Sequence, residues 1–197
     1  MSKENKELNI TVVEEMAQNE ASDVDIDLLK EMAEKGIMYG HKKNRTHPKF
    51  KQFIFTTRNG MEIIDLAKTV KAVENTADFI NKIISEKKTI LLVGTQPSSW
   101  QAIKKMSDQL GFEGLDNFNK IPDAIFVVDT IVKDHDTALK EAKIAKIPAI
   151  AIIDSDDNPE LVDFPIPAND HSKMSIEWIV DKILSLIKAA PQSPNEA

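Results

Sequence analysis

Three short, uninterrupted apolar runs constrain this chain most: Ile90–Val93, Ala124–Val128 and Ala149–Ile153. Four or five apolar residues without polar alternation suit a strand covered on both faces, as in a parallel sheet. Parallel neighbours need long crossovers, and helical patterns fill the gaps between the runs. One pattern begins near Pro97 and uses Trp100, Ile103 and Leu110; another spans roughly 135–146 and uses Ala138, Leu139, Ala142 and Ala145. Right-handed crossovers then place helices on both faces of the sheet. Trp100 and Trp178 fall on apolar helical faces and read as core rather than as stacking platforms.

The flanks extend this plan. Ser22 is a candidate cap for a first helix, with Leu28, Leu29, Met32 and Ala33 on one face and Gly36 as its stop. Phe53-Ile54-Phe55 and Met61–Leu66 surround Asn59-Gly60, a strong hairpin turn signal. Val70, Val73, Ala77, Ile80, Ile83 and Ile84 keep the spacing of a long amphipathic helix. Ile176, Ile179, Val180, Ile183, Leu184 and Ile187 form the stripe of a last one. Residues 1–22 are polar apart from a weak patch at Ile10, Val12, Val13 and Met16, and read as an acidic mobile arm that does not pack stably. The expected division is that arm, an α/β domain over 23–188, and a tail over 189–197 carrying Pro191 and Pro194.

The 197 residues are 42% apolar, enough for the core of one such domain. No apolar run reaches the length of a membrane span, and the polar start lacks a secretory signal. Cysteine is absent, which removes disulfides, thiolate nucleophiles and cysteine-based zinc sites. A cytoplasmic chain is expected. The formal charge of −7 hides an asymmetry: residues 1–34 hold ten acidic and three basic residues, so the remainder is balanced. Within that remainder, residues 41–58 carry six basic residues and no acidic one. Such separation points to a surface partner rather than to a fold requirement.

Candidate chemistry is sparse. Gly94-Thr95-Gln96-Pro97-Ser98-Ser99 could meet a phosphate at a helix N-terminus, and Asp129 and Asp154 also stand at strand ends. Neither glycine-rich phosphate motif is present, so a capped loop is the simpler reading. Asp154, Asp156 and Asp157, joined by Asp65 and Asp129, could hold Mg²⁺, but the same residues make a good turn. The histidines, His41, His47, His135 and His171, form no metal-ligand spacing, and no Gly-x-Ser-x-Gly elbow presents a serine. No catalytic residue, resident metal, cofactor or small-molecule substrate is expected. A phosphate-ligand-binding α/β enzyme or receiver-like switch, using Gly94–Ser99 and the strand-end aspartates, is the alternative.

The basic stretch is more informative. His41, Lys42, Lys43, Asn44, Arg45, His47, Lys49, Lys51, Arg58 and Asn59 offer point charges, planar forks and short polar contacts close together. Gly40 and Pro48 shape its backbone. The combination suits folded RNA, read through phosphates and 2′-hydroxyls.

The ordered motifs then resemble a known family. His41–Lys49 leads into Phe53-Ile54-Phe55-Thr56-Thr57-Arg58-Asn59-Gly60, Ile63-Ile64-Asp65-Leu66 and Lys68-Thr69. Val93-Gly94-Thr95, Ile121-Pro122-Asp123-Ala124, Phe126–Asp129, Glu141-Ala142, Ile147-Pro148, Ala151–Asp154, Asn158-Pro159 and Asp163–Asp170 follow. Together they resemble bacterial members of the small-subunit ribosomal protein S2 family over about residues 28–188. The resemblance implies a flavodoxin-like α/β domain without enzymatic activity. It implies docking against small-subunit rRNA and neighbouring ribosomal proteins, on the solvent side near the junction of head and body. Two departures stand out. The long helical hairpin of most bacterial members, with its preceding basic Trp-Leu-Gly-Gly motif, is replaced here by Gly111-Phe112-Glu113-Gly114; and Thr46-His47 stands where the family carries an aromatic residue.

Overall fold

The computed structural model describes residues 3–19, 24–94, 96–114, 121–130 and 133–187. The expectations for Ser22, Thr95 and the 189–197 tail lie outside them. Chain order runs α1 (Lys3–Asn19), α2 (Ile26–Glu34), β1 (Tyr39–Lys42), β2 (Ile54–Arg58), β3 (Met61–Ile64) and α3 (Leu66–Ser85). Then follow β4 (Ile90–Val93), α4 (Pro97–Leu110), β5 (Glu113–Gly114), β6 (Ala124–Val127), α5 (Lys133–Ala145), β7 (Ala149–Ile153), β8 (Phe164–Pro167) and α6 (Lys173–Leu186).

Every pairing in the main sheet is parallel, in the order β5-β4-β6-β7-β8. Numbered within that sheet, the order is 2-1-3-4-5, the flavodoxin-like arrangement. The uninterrupted apolar runs are explained by two cores. Ile90, Leu92, Phe126, Ile150, Ile152 and Ile166 pack in one, together with residues of α3, α4 and α6. Val93, Ile125, Val127, Ala149, Ala151 and Ile153 alternate to the other, with Leu139 and Ala142 of α5. β8 escaped the sequence reading because it is Phe-Pro-Ile-Pro; prolines belong on sheet edges, and β8 is an edge.

A second, antiparallel sheet, β1-β3-β2, carries the hairpin. Asn59 and Gly60 both have positive φ, 50° and 75°, as a two-residue turn with matching twist requires. Asp65 caps α3 by accepting from Ala67 N at 3.1 Å and Lys68 N at 3.4 Å, so it is a structural cap rather than a metal ligand.

Two expectations need correction. Trp100 is 61% exposed, because the buried face of α4 runs through Ala102 and Met106; only Trp178 is core. The reading of residues 1–22 as an unpacked arm also differs from the structure. Val12, Val13 and Met16 of α1 are fully or almost fully covered and share a core with Leu29 and Met32 of α2. Three apolar residues make a weak stripe alone, but they suffice where α2 supplies the opposite face.

Candidate nucleic-acid interface

The basic stretch has more local order than a loop. Its first residues finish β1, Lys43–Arg45 form a 3₁₀ turn, and Pro48–Phe53 form a second. His47 caps that second turn, its Nδ1 accepting from Lys49 N at 3.2 Å. Phe50 points inward with no exposed surface, in edge-to-face contact with Phe53 at a centroid distance of 5.3 Å. It belongs to the core shared with α5, so an apolar anchor holds the charged segment against the sheet.

Ser155, just past β7, supplies the polar anchor. His41 N donates to its Oγ at 2.7 Å, and His47 N donates to its carbonyl oxygen at 2.8 Å. The approach is close enough that a Cβ on Gly40 would lie 2.8 Å from Ser155 Oγ and 3.3 Å from the Glu62 carbonyl oxygen. Glu62 is buried and accepts from Thr57 Oγ1 at 2.7 Å and Thr46 Oγ1 at 3.3 Å, joining the stretch to the hairpin.

These anchors divide the basic residues. Arg45 donates to Asp156 Oδ2 at 2.8 Å, and Lys49 pairs with Glu160 at 2.8 Å. Lys49 and Glu160 stabilise each other's charges, moving the lysine pKa up and the glutamate pKa down. Arg58 donates to both carboxylate oxygens of Glu15 on α1, at 2.8 and 2.7 Å. His41 is turned toward the strand ends. Among the described residues, Lys42, Lys43 and Lys51 have no ion-pair partner, and they stand exposed with Asn44 and, at the hairpin tip, Asn59.

The carboxyl ends of β6, β7 and β8 gather a second group. Asp154 is buried, with His41 Nδ1 3.2 Å and His171 Nδ1 3.9 Å from its Oδ2. Asp156 Oδ1 lies 3.1 Å from His41 Nδ1, and Asp170 Oδ1 2.7 Å from His171 Nδ1. Burial moves the Asp154 pKa up; the Asp154 and Asp170 carboxylates raise those of His41 and His171 respectively. Thr130 Oγ1 lies 2.5 Å from Asp157 Oδ2 and 2.7 Å from Asp170 Oδ2. One hydroxyl has one hydrogen, so both contacts are satisfied when one carboxyl keeps its proton. Burial, and after it the Asp170 charge, push the Asp157 carboxyl up to about 7.

The sequence offers Asp154, Asp156 and Asp157 either as a turn or, with Asp65 and Asp129 as companions, as Mg²⁺ ligands. The companions the fold brings are instead His41, Asp170 and His171. Nothing in local spacing signals this, because the group is assembled by the ends of the parallel strands together with β1, which belongs to the other sheet. At the alternative site, Ser99 is buried and its Oγ donates to Gln96 O at 2.8 Å. Ile103 Cδ1 fills the space over Gly94, 2.5 Å from where a Cβ would sit. Ile103 and Ser99 thus occupy the space beside Gly94, among the described residues of that loop.

The fold and this surface define a flavodoxin-like α/β protein with a basic segment pinned beside the carboxyl edge of its sheet. A family model described as ribosomal protein S2 matches residues 32–112 and 105–190, and the chain belongs to that family. It is 30% identical to a small ribosomal subunit protein uS2 of Coprothermobacter proteolyticus, over 81% of each chain. The uS2 of Dictyoglomus thermophilum is 31% identical, over 81% of this chain and 88% of its own. That of Fusobacterium nucleatum is 28% identical over the same shares. The alignment to the Coprothermobacter protein runs over 218 residues, longer than this whole chain, so the relative carries residues that face gaps here. The two matched stretches of the family meet at 105–112, where the end of α4 leads directly into Gly111 and Phe112.

Proposed function

We propose that this chain is a structural constituent of the small ribosomal subunit in the cytoplasm, attached to small-subunit rRNA through residues 41–59. Family membership supports the ribosomal role. The observation that carries the RNA contact is the double anchoring of the basic stretch. Phe50 and Ser155 hold its backbone from below while Lys42, Lys43, Asn44 and Lys51 face outward. Preordered cations lose less freedom on meeting phosphates than a floppy tail would. Arg45, Lys49 and Arg58 contribute after exchanging a carboxylate for a phosphate. His41 and His47 act mainly by shaping the segment. Neighbouring ribosomal proteins complete the docking, and no membrane contact is required.

The test is co-sedimentation of the full chain with small subunits lacking it, across a salt series. Neutralising Lys42, Lys43 and Lys51 together should weaken binding strongly. It should flatten the slope of log affinity against log salt by about 2–3, near 0.7–0.9 for each lost phosphate contact. Wild-type binding and slope in the triple variant would reduce the segment to a solvated face.

A further inference from the structure

We propose that Asn59-Gly60, at the tip of the β2–β3 hairpin, is a self-modification site: Asn59 converts to isoaspartate in the unassembled chain, and the product unfastens the basic segment. Of the chain's asparagines, Asn59 alone is followed by glycine. An asparagine side chain is lost when the next residue's backbone nitrogen attacks its carboxamide, and glycine, lacking a Cβ, hinders that attack least. Both residues are exposed, and a Cβ on Gly60 would meet nothing within 4 Å, so no neighbour crowds this end of the turn. Among the described residues, neither the Asn59 carboxamide nor the Gly60 N–H has a hydrogen-bond partner. The two reacting groups meet by rotation about the Asn59 Cα–C bond, which the Arg58–Met61 pairing resists. Whatever clamps the turn further, a docked surface included, slows the reaction.

The step balances with water as its one co-reactant. Gly60 N gives its proton to hydroxide and bonds to Asn59 Cγ. The Cγ–Nδ2 bond breaks, ammonia leaves, and a five-membered imide closes. Water then opens the ring at either carbonyl. Opening at the backbone carbonyl carbon routes the main chain through Cβ and Cγ and leaves an α-carboxylate, which is isoaspartate. Opening at Cγ gives aspartate. Either product exchanges a neutral carboxamide for a negative charge.

The position of the turn gives the modification its effect. Lys43 N donates to Gly60 O at 3.0 Å, so the hairpin tip holds the 3₁₀ turn that carries Lys43 and Arg45. Isoaspartate adds one atom to the main chain between the Asn59 Cα and the Gly60 nitrogen. A two-residue turn fixes the register of its strands and does not accommodate the extra bond while Arg58 stays opposite Met61. The Gly60 carbonyl therefore leaves Lys43, and a carboxylate enters the cation-rich segment next to Arg58, where it competes with phosphate. This loss of attachment rests on the RNA-binding reading; the chemistry at Asn59 and the release of Lys43 do not.

The experiment incubates the full chain at neutral and at mildly alkaline pH, alone and with small subunits lacking it. Peptide mass spectrometry follows the mass gain of about 1 Da, and labelling by an isoaspartate methyltransferase reads the isoaspartate share. The gain should concentrate at Asn59, at least ten-fold faster than at any other asparagine. It should quicken with hydroxide and slow on the subunit. In the aged chain the Lys43 amide should exchange with solvent faster and affinity for small subunits should fall at least ten-fold. Asn59→Asp carries the charge without the extra main-chain atom, and aspartate tolerates the left-handed conformation; it should keep the Lys43 amide protected and lose less affinity. Conversion at Asn59 no faster than elsewhere, or an aged chain whose Lys43 amide stays protected, would overturn the proposal. Should the fresh chain itself fail to bind subunits, the RNA-binding reading falls, while mass and amide exchange still decide the modification.

Discussion

The backbone N–H of His41 donates to Ser155 Oγ at 2.7 Å, joining residues 114 positions apart. It brings the start of the basic segment onto the end of a parallel strand. Gly40 permits the approach, because any side chain there would overlap Ser155 and press on the Glu62 backbone. Gly40→Ala should therefore destabilise by about 1–3 kcal/mol, the usual cost of overpacking. For a domain of this size that lowers the melting temperature by about 2–4 °C per kcal/mol. Differential scanning calorimetry of the variant checks it, and an unchanged midpoint would show that the contact relaxes freely.

Phe50→Leu separates presentation from charge. It removes no cation but loosens the apolar anchor, at a stability cost of about 1–2 kcal/mol. Affinity for small subunits should fall while the salt slope stays at its wild-type value, since the number of phosphate contacts is unchanged. A wild-type affinity would mean that the segment orders itself on RNA without this anchor.

Glu15 sits on Arg58 and should hold it back from RNA. Both side chains are about 40% exposed, so the pair adds no more than about 1 kcal/mol to stability. Glu15→Gln should leave the melting temperature almost unchanged and raise affinity for naked rRNA fragments. Its salt slope should steepen by about 0.7–0.9 as one more cation reaches a phosphate. Filter binding at several salt concentrations measures both effects; an unaltered slope would place Arg58 outside the interface.

Asp123 governs part of the acid response. Its carboxylate accepts from Thr89 N at 2.9 Å and Thr89 Oγ1 at 3.2 Å, joining the starts of β4 and β6. Those hydrogen bonds lower its pKa below the ordinary aspartate value. The unfolded chain thus takes up this proton first as pH falls. The stabilisation is fully present above the unfolded pKa and is lost as pH drops through the folded one. Asp123→Asn should flatten stability against pH in that acid window and leave the neutral-pH slope alone. Urea midpoints between pH 3 and pH 7 test this, and identical profiles would remove Asp123 from the acid transition.

Much of the architecture was legible because it is written locally. Ile90–Val93, Ala124–Val128 and Ala149–Ile153 announced strands buried on both faces, and Asn59-Gly60 announced its turn. α3 and α6 carried unbroken apolar stripes. These signals depend on residues a few positions apart, where the helical period, the strand pleat and the dihedral preferences of turns act directly. They also located the cation-rich stretch, since charge density along the chain is visible without a fold.

Only the tertiary structure decided which of those charges face outward. Arg45, Lys49 and Arg58 met carboxylates from Asp156, Glu160 and Glu15, because electrostatic pairing follows distance in space and not order in sequence. The patch at Val12, Val13 and Met16 became core only when α2 offered a matching face, and Trp100 was left exposed by the rotation of α4. The His41, Asp154 and His171 cluster was beyond sequence reasoning for the same cause. Its members lie on separate segments: the parallel register of β7 and β8 brings Asp154 and His171 to one edge, and the contact of β1 with Ser155 brings His41 there.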